Sequence, residues 1–228
     1  QYLVDDDTYG RLSENDLRHP GRVIGQGDRF GYDYRLVRLR AAAHLRAVYR
    51  ADRFRADAAA ELGAVSTYRR GLMEKELFPG SRSFGRSRRM HMATYAFKAS
   101  AGWAFSPRSY LGFSAAASAS PPDADAMFFQ PLYNNLSVER IVPERLFAAE
   151  LNYRSTGRTL EWQASAFLTA SFDGMDTRRY FDDLAGLYCD LPVPGIGRLA
   201  CGLEAAASLR LSYRWRLSLG VSAGRYEY

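Results

Sequence analysis

Lysine is nearly missing from this chain of 228 residues, where Lys75 and Lys98 stand against 29 arginines. Histidine and cysteine are scarce too: His19, His44 and His91, and Cys189 and Cys201. The histidines are far apart and lack metal-ligand spacing, and the cysteines form no CxxC, so the sequence offers no metal centre. The two thiols could bridge a loop in an oxidising compartment or stay free. No run approaches about eighteen uncharged apolar residues, which excludes a transmembrane helix and a signal-peptide core. The chain begins at Gln1 with neither a methionine nor a charged leader.

Chemistry is thin as well. Gly25-Gln-Gly27 and Gly195-Ile-Gly197 lie in expected loops and open no helix, so they do not cradle phosphate. Asp5-Asp6-Asp7 and Asp182-Asp183 lack the ligand spacing of a calcium loop. No acid–base pair or activated nucleophile stands out, so the expectation is no enzyme, no cofactor and no metal. The net charge of +6 raises nucleic acid as a partner. The arginines, however, are spread along the chain beside acids such as Asp57, Glu61 and Glu150, and not gathered on one arm. The one dense group, Arg82, Arg86, Arg88 and Arg89, sits in a Gly/Ser-rich loop.

What the chain does have is alternation. Leu160, Trp162, Ala164, Ala166, Leu168, Ala170 and Phe172 fall on one side of an extended segment. Glu161, Gln163, Ser165, Thr169 and Ser171 fall on the other, with Phe167 out of place. A period of two is that of a strand with one apolar and one polar face. Four hairpins share this plan, with short turns near 51–52, 106–108, 156–157 and 214–216. They give eight strands of about 10 to 16 residues, longer than soluble strands usually run.

Three features orient the apolar face toward lipid. Short turns alternate with long connections at 66–91, 119–144 and 173–198, an asymmetry typical of outer-membrane barrels. Aromatics gather at strand ends: Tyr49, Phe54, Trp103, Phe105, Tyr110, Tyr153, Trp162, Tyr213 and Trp215 by the short turns, and Tyr95, Phe147, Phe172 and Tyr226 toward the long loops. The polar face carries Arg38, Arg40, His44, Arg46, Arg55, Asp57, Glu61, Glu150 and Arg154, which suit a water-filled or plugged lumen. The expected fold is therefore all-β, an antiparallel transmembrane β-barrel meander. Residues 1–31 form a loop or extracellular segment, and 32–228 the barrel segment.

Glu144-Arg-Leu-Phe-Ala-Ala-Glu-Leu-Asn-Tyr153, with the strand Leu160–Asp173, resembles a hairpin from the barrels of TonB-dependent receptors, Bacteroidetes-type ones above all. The segments Leu77–Gly85, Thr94–Trp103, Gly27–Tyr34 and Gly220–Tyr228 are similar to further stretches of those barrels. The resemblance implies the C-terminal half of a 22-stranded barrel closed by a plug domain, importing a nutrient such as a siderophore or glycan with energy from the TonB complex. It also implies a Gram-negative outer membrane, contact with its lipid, and a surface lipoprotein as a further partner. Neither a plug nor a TonB box is found, so the chain is expected to be part of a longer receptor.

Ligand recognition is expected in the long connections, at Phe128, Phe129 and Tyr133 in one, and Arg178, Arg179, Tyr180, Phe181 and Tyr188 in the other. Rings beside arginines suit sugars, aromatics or anions; equally, they can pack the loops together. The polar-face arginines either hold a plug or pair across strands to fix the wall. Two other readings stay open: a self-contained eight-stranded barrel acting as adhesin or anchor, and a soluble barrel with a small apolar ligand inside.

Overall fold

The computed structural model describes residues 3–4, 16–183 and 187–228. The strands are β1 (Leu3–Val4), β2 (Val23–Ile24), β3 (Tyr34–Arg50), β4 (Phe54–Gly71), β5 (Gly85–Arg86), β6 (Met90–Ser106), β7 (Ser109–Ser120), β8 (Glu144–Thr156), β9 (Leu160–Asp182), β10 (Leu187–Arg210) and β11 (Arg216–Glu227). Eight of these are long and lie side by side in the order β11-β10-β9-β8-β7-β6-β4-β3, every contact antiparallel. The expected meander of eight strands is present, and the sheet is open: β3 and β11 are its two edges.

The register separates the faces as alternation demands. Arg46, Ala59 and Lys98 stand in one row of β3, β4 and β6, while Ala47, Ala58 and Ala99 fill the next. Among the described residues nothing covers the apolar face. Leu45, Leu62, Leu203 and Leu219 are each exposed by 60% or more. Its rings form a chain near the short turns, with Tyr49 to Phe54 and Phe54 to Trp103 both 6.1 Å between centroids, and Tyr153 to Trp162 4.9 Å.

Two rings expected in the belts lie on the polar face. Tyr110 pairs with Ala104 and Arg154, and its ring lies over Gly102. Tyr226 pairs with Ala200. Phe167, the exception to alternation, is explained the same way: it stands across from Gly202, whose missing side chain leaves room for the ring. An aromatic covering a strand glycine restores packing that the glycine forfeits.

One expected loop is largely strand, and another is shortened at its start. β4 runs on to Gly71, and β9 and β10 occupy most of 173–198. Pairing of β8 with β9 stops at Arg145 and Phe172, yet β9 continues for ten residues, a ribbon of about 33 Å at the usual rise. Pro192 and Pro194 sit in this ribbon while its ladder to β9 continues, so their missing N–H groups face the side that β11 does not reach. A bulge at Asp173 (φ +59°) and Gly195 (φ +86°) separates ribbon from wall. The connection after β7 is a true loop, 121–143, and its Met127 and Phe128 form the small buried core with Met92.

Candidate functional site

At the end of the sheet that carries the long connections, the polar face is covered by two of them, clamped to the wall. Arg69, 1% exposed, donates from Nε to the Pro131 carbonyl (2.6 Å) and from its Nη atoms to Ser83 O (3.0 Å), Asn135 Oδ1 (2.6 Å) and Leu132 O (3.1 Å). Its guanidinium also lies 4.9 Å from the Tyr34 ring. Asn135 Nδ2 in turn donates to Ser81 O and Phe84 O. One strand residue thus ties loop 121–143 to the segment after β4. Gly71 is required beside it, because any Cβ there would strike the Ser83 backbone.

The aromatic and arginine candidates do not converge on one surface. Phe128 is 1% exposed and belongs to the core, so it offers no face to a ligand. Phe129 is half-buried; its amide donates to Leu136 O. Tyr133 packs edge-on to Tyr32 at 6.4 Å and lies 5.7 Å from Lys75 Nζ. Burial pushes the Tyr133 phenol upward, and the neighbouring Tyr32 adds to it.

The other five are on the ribbon, not in a loop. Phe181 and Tyr188 pair edge-to-face at 5.2 Å and share a face with the ion pair of Arg179 and Asp190 (2.7 and 3.1 Å). That hydrogen bond holds the Asp190 carboxyl below its ordinary value. Arg178 and Tyr180 are on the opposite face with Cys189. Gln130 reaches that face, donating to Cys189 Sγ at 2.6 Å, so the loop and the ribbon touch there. Neither Cys189 nor Cys201 is in a disulfide.

Three polar-face arginines of β3, Arg38, Arg40 and Arg46, bond to residues of β4. Arg46 grips Asp57 with Nε at 3.1 and 3.3 Å and Nη2 at 2.5 Å. Arg40 pairs with Glu61, which stands across from His44, and Arg38 reaches Thr67 and the Pro122 carbonyl. Arg55 lies beside them with Lys98 in a shallow recess.

A larger polar groove, about 650 Å³, crosses β7 to β11. Tyr110, Glu150, Asn152, Arg154, Gln163 and Glu204 line it. Glu150 and Arg154 were expected here. Tyr110 was missed because its position near a turn reads as a belt, and only register turns it inward. Among the described residues no three His, Cys, Asp or Glu side chains gather as a metal site. Asp5 to Asp7 lie outside the described residues, as does the side chain of Asp182.

No family model matches this chain, and no curated protein does. Among solved structures it is similar to the copper transporter OprC, with a TM-score of 0.66 over 83% of this chain at 15% identity. The chain spans 30% of that protein's length. The likeness extends the fold finding: this all-β antiparallel meander has the architecture of a stretch of that transporter's chain.

Proposed function

We propose that this chain forms part of the wall of a TonB-dependent outer-membrane receptor that takes up a nutrient. The observation that carries the reading is the uncovered apolar face. Monomeric proteins in water rarely expose contiguous apolar patches beyond a few hundred Å², and this face runs across all eight strands. Lipid is the solvent that suits it. The polar face then turns to the lumen, where ion pairs such as Arg46–Asp57 keep the charges satisfied. Support comes also from the fold shared with a transporter.

In this reading further strands continue the sheet at β3 and β11, because an exposed edge is a template for pairing. A closed eight-stranded adhesin would instead join those edges, which are unpaired with each other here. The 650 Å³ groove and the recess by Arg55 face the space a plug would fill. The ligand class stays that of a siderophore, glycan or similar nutrient, met first at the ribbon and loop 121–143.

Flotation with lipid vesicles tests the wall assignment: the purified chain should rise with lipid and stay insoluble without detergent. A monodisperse chain in plain buffer would overturn it. Uptake into proteoliposomes by the whole receptor, with Arg38, Arg40 and Arg46 changed to Gln, tests the plug contact. Unchanged gating would assign those arginines to the wall alone.

A further inference from the structure

We infer that the outer rim of β3, β4 and β5 is a binding site for the phosphate groups of anionic membrane lipid. The inference rests on the outer-membrane reading above. The register sets Arg35, Arg70 and Arg86 directly across from one another in a single row. All three are exposed, on the side opposite to buried Arg69. Two residues down the same face of β4, Tyr68 has the guanidinium of Arg86 5.5 Å from its ring centroid and that of Arg89 at 4.8 Å. Arg88 is exposed beside them. Among the described residues, none of these five arginines has a carboxylate within ion-pair reach.

That arrangement is costly by itself. Like charges directly opposite on neighbouring strands repel. At other outer positions the chain supplies an acid: Arg145 donates to Asp173 (2.9 and 2.6 Å), and Arg179 to Asp190. Among the described residues the row at Arg35–Arg70–Arg86 has no such acid, so an anion from outside the chain is what would neutralise it. Guanidinium forks match phosphate oxygens in pairs, and stacking on Tyr68 holds two of the forks in place.

Position selects lipid over free phosphate. Continuing down the same face come Val37, Leu39 and Ala41 on β3, and, past Ser66, Ala64, Leu62 and Ala60 on β4, the start of the apolar band. The arginines therefore stand where headgroups meet acyl chains, with the tyrosine between. Lower on this face, Leu45, Phe97 and Phe147 rim an alanine-floored groove of about 410 Å³, apolar enough for an acyl chain.

The test reconstitutes the full chain in nanodiscs of phosphatidylcholine doped with diphosphorylated lipid A, then counts retained lipids by native mass spectrometry. The phosphorylated lipid should be enriched, and changing Arg35, Arg70 and Arg86 together to Gln should cut that enrichment on the order of tenfold to a hundredfold. The same change at Arg53, Arg108 and Arg158, on the opposite rim, should leave most of it. Equal loss in both triple variants, or no loss in the first, overturns the site. So does tight binding of inorganic phosphate with no lipid retained. Vesicle flotation of each variant keeps the two ideas apart: a chain that never inserts defeats the membrane assignment, whereas one that inserts without enrichment defeats only this site.

Discussion

At Arg69 a guanidinium is withheld from water and satisfied by three main-chain carbonyls and one amide oxygen. Hydrogen bonds to a charged group contribute more than neutral ones, and each acceptor left bare when the donor is removed costs desolvation as well. Changing Arg69 to Met keeps much of the volume and strips every one of these bonds. The clamp on loop 121–143 should weaken by about 3 kcal/mol, roughly a hundredfold faster hydrogen exchange at the Asn135 amide, which donates to Arg82 O. Exchange unchanged at that amide would show that the core at Met127 and Phe128 holds the loop alone.

Asp16 works on the same principle with the charge reversed. It is buried, which works to raise its pKa. Hydrogen bonding to His19 and from the Glu74 and Arg18 amides outweighs burial, leaving the carboxyl below its ordinary value. A depressed folded-state pKa means the stabilisation is complete above the ordinary carboxylate range and is lost as pH falls through the depressed value. The Glu74 amide resonance should therefore hold steady through the ordinary range and shift only in stronger acid. An earlier transition would mean that this carboxylate does not anchor the segment.

At the scale of elements, glycine–aromatic contacts shape the wall. A Cβ on Gly202 would come within 2.8 Å of the Phe167 ring and 2.6 Å of the Ala223 carbonyl. Gly202→Val should cost about 1–3 kcal/mol through overpacking, read as a lower urea midpoint in lipid. Adding Phe167→Ala relieves the ring but not the carbonyl, so the double variant should recover only part of the loss. Full additivity of the two changes would mean that ring and glycine do not interact.

Element boundaries were legible where alternation persists and illegible where it stops. Leu160 to Phe172 announces its strand, while Gly174 to Ile196, with two prolines and six charged residues in it, reads as loop. The prolines are tolerated because they stand on an edge, a fact that only pairing reveals. Ser66 to Gly71 was illegible for a different reason: its polar-face residues Thr67 and Arg69 are buried by loops, so both faces of that stretch look hydrophilic. The cross-strand pairs of β3 and β4 were foreseeable from sign and spacing. The inward turn of Tyr110 was not, since it depends on register across β7 and β8.

For the whole molecule, the decisive question is which solvent each face meets, and two adjacent residues answer it. Leu203 and Glu204 follow one another on β10, and the pleat sends them to opposite faces. Leu203 is 65% exposed on the apolar face, near the middle of its band, and Glu204 lines the polar groove. In water, replacing an already exposed leucine with arginine should change stability little. In a bilayer, the same change puts a charge near the midplane and should cost about 2–4 kcal/mol. Glu204→Arg places an equal charge where water or a plug can solvate it, and should be tolerated in either setting. Unfolding of both variants in lipid vesicles, compared with the parent chain, separates the cases. A large loss confined to Leu203→Arg is the outcome a lipid-facing wall requires, and equal tolerance of both would remove the ground on which uptake, plug and lipid site all stand.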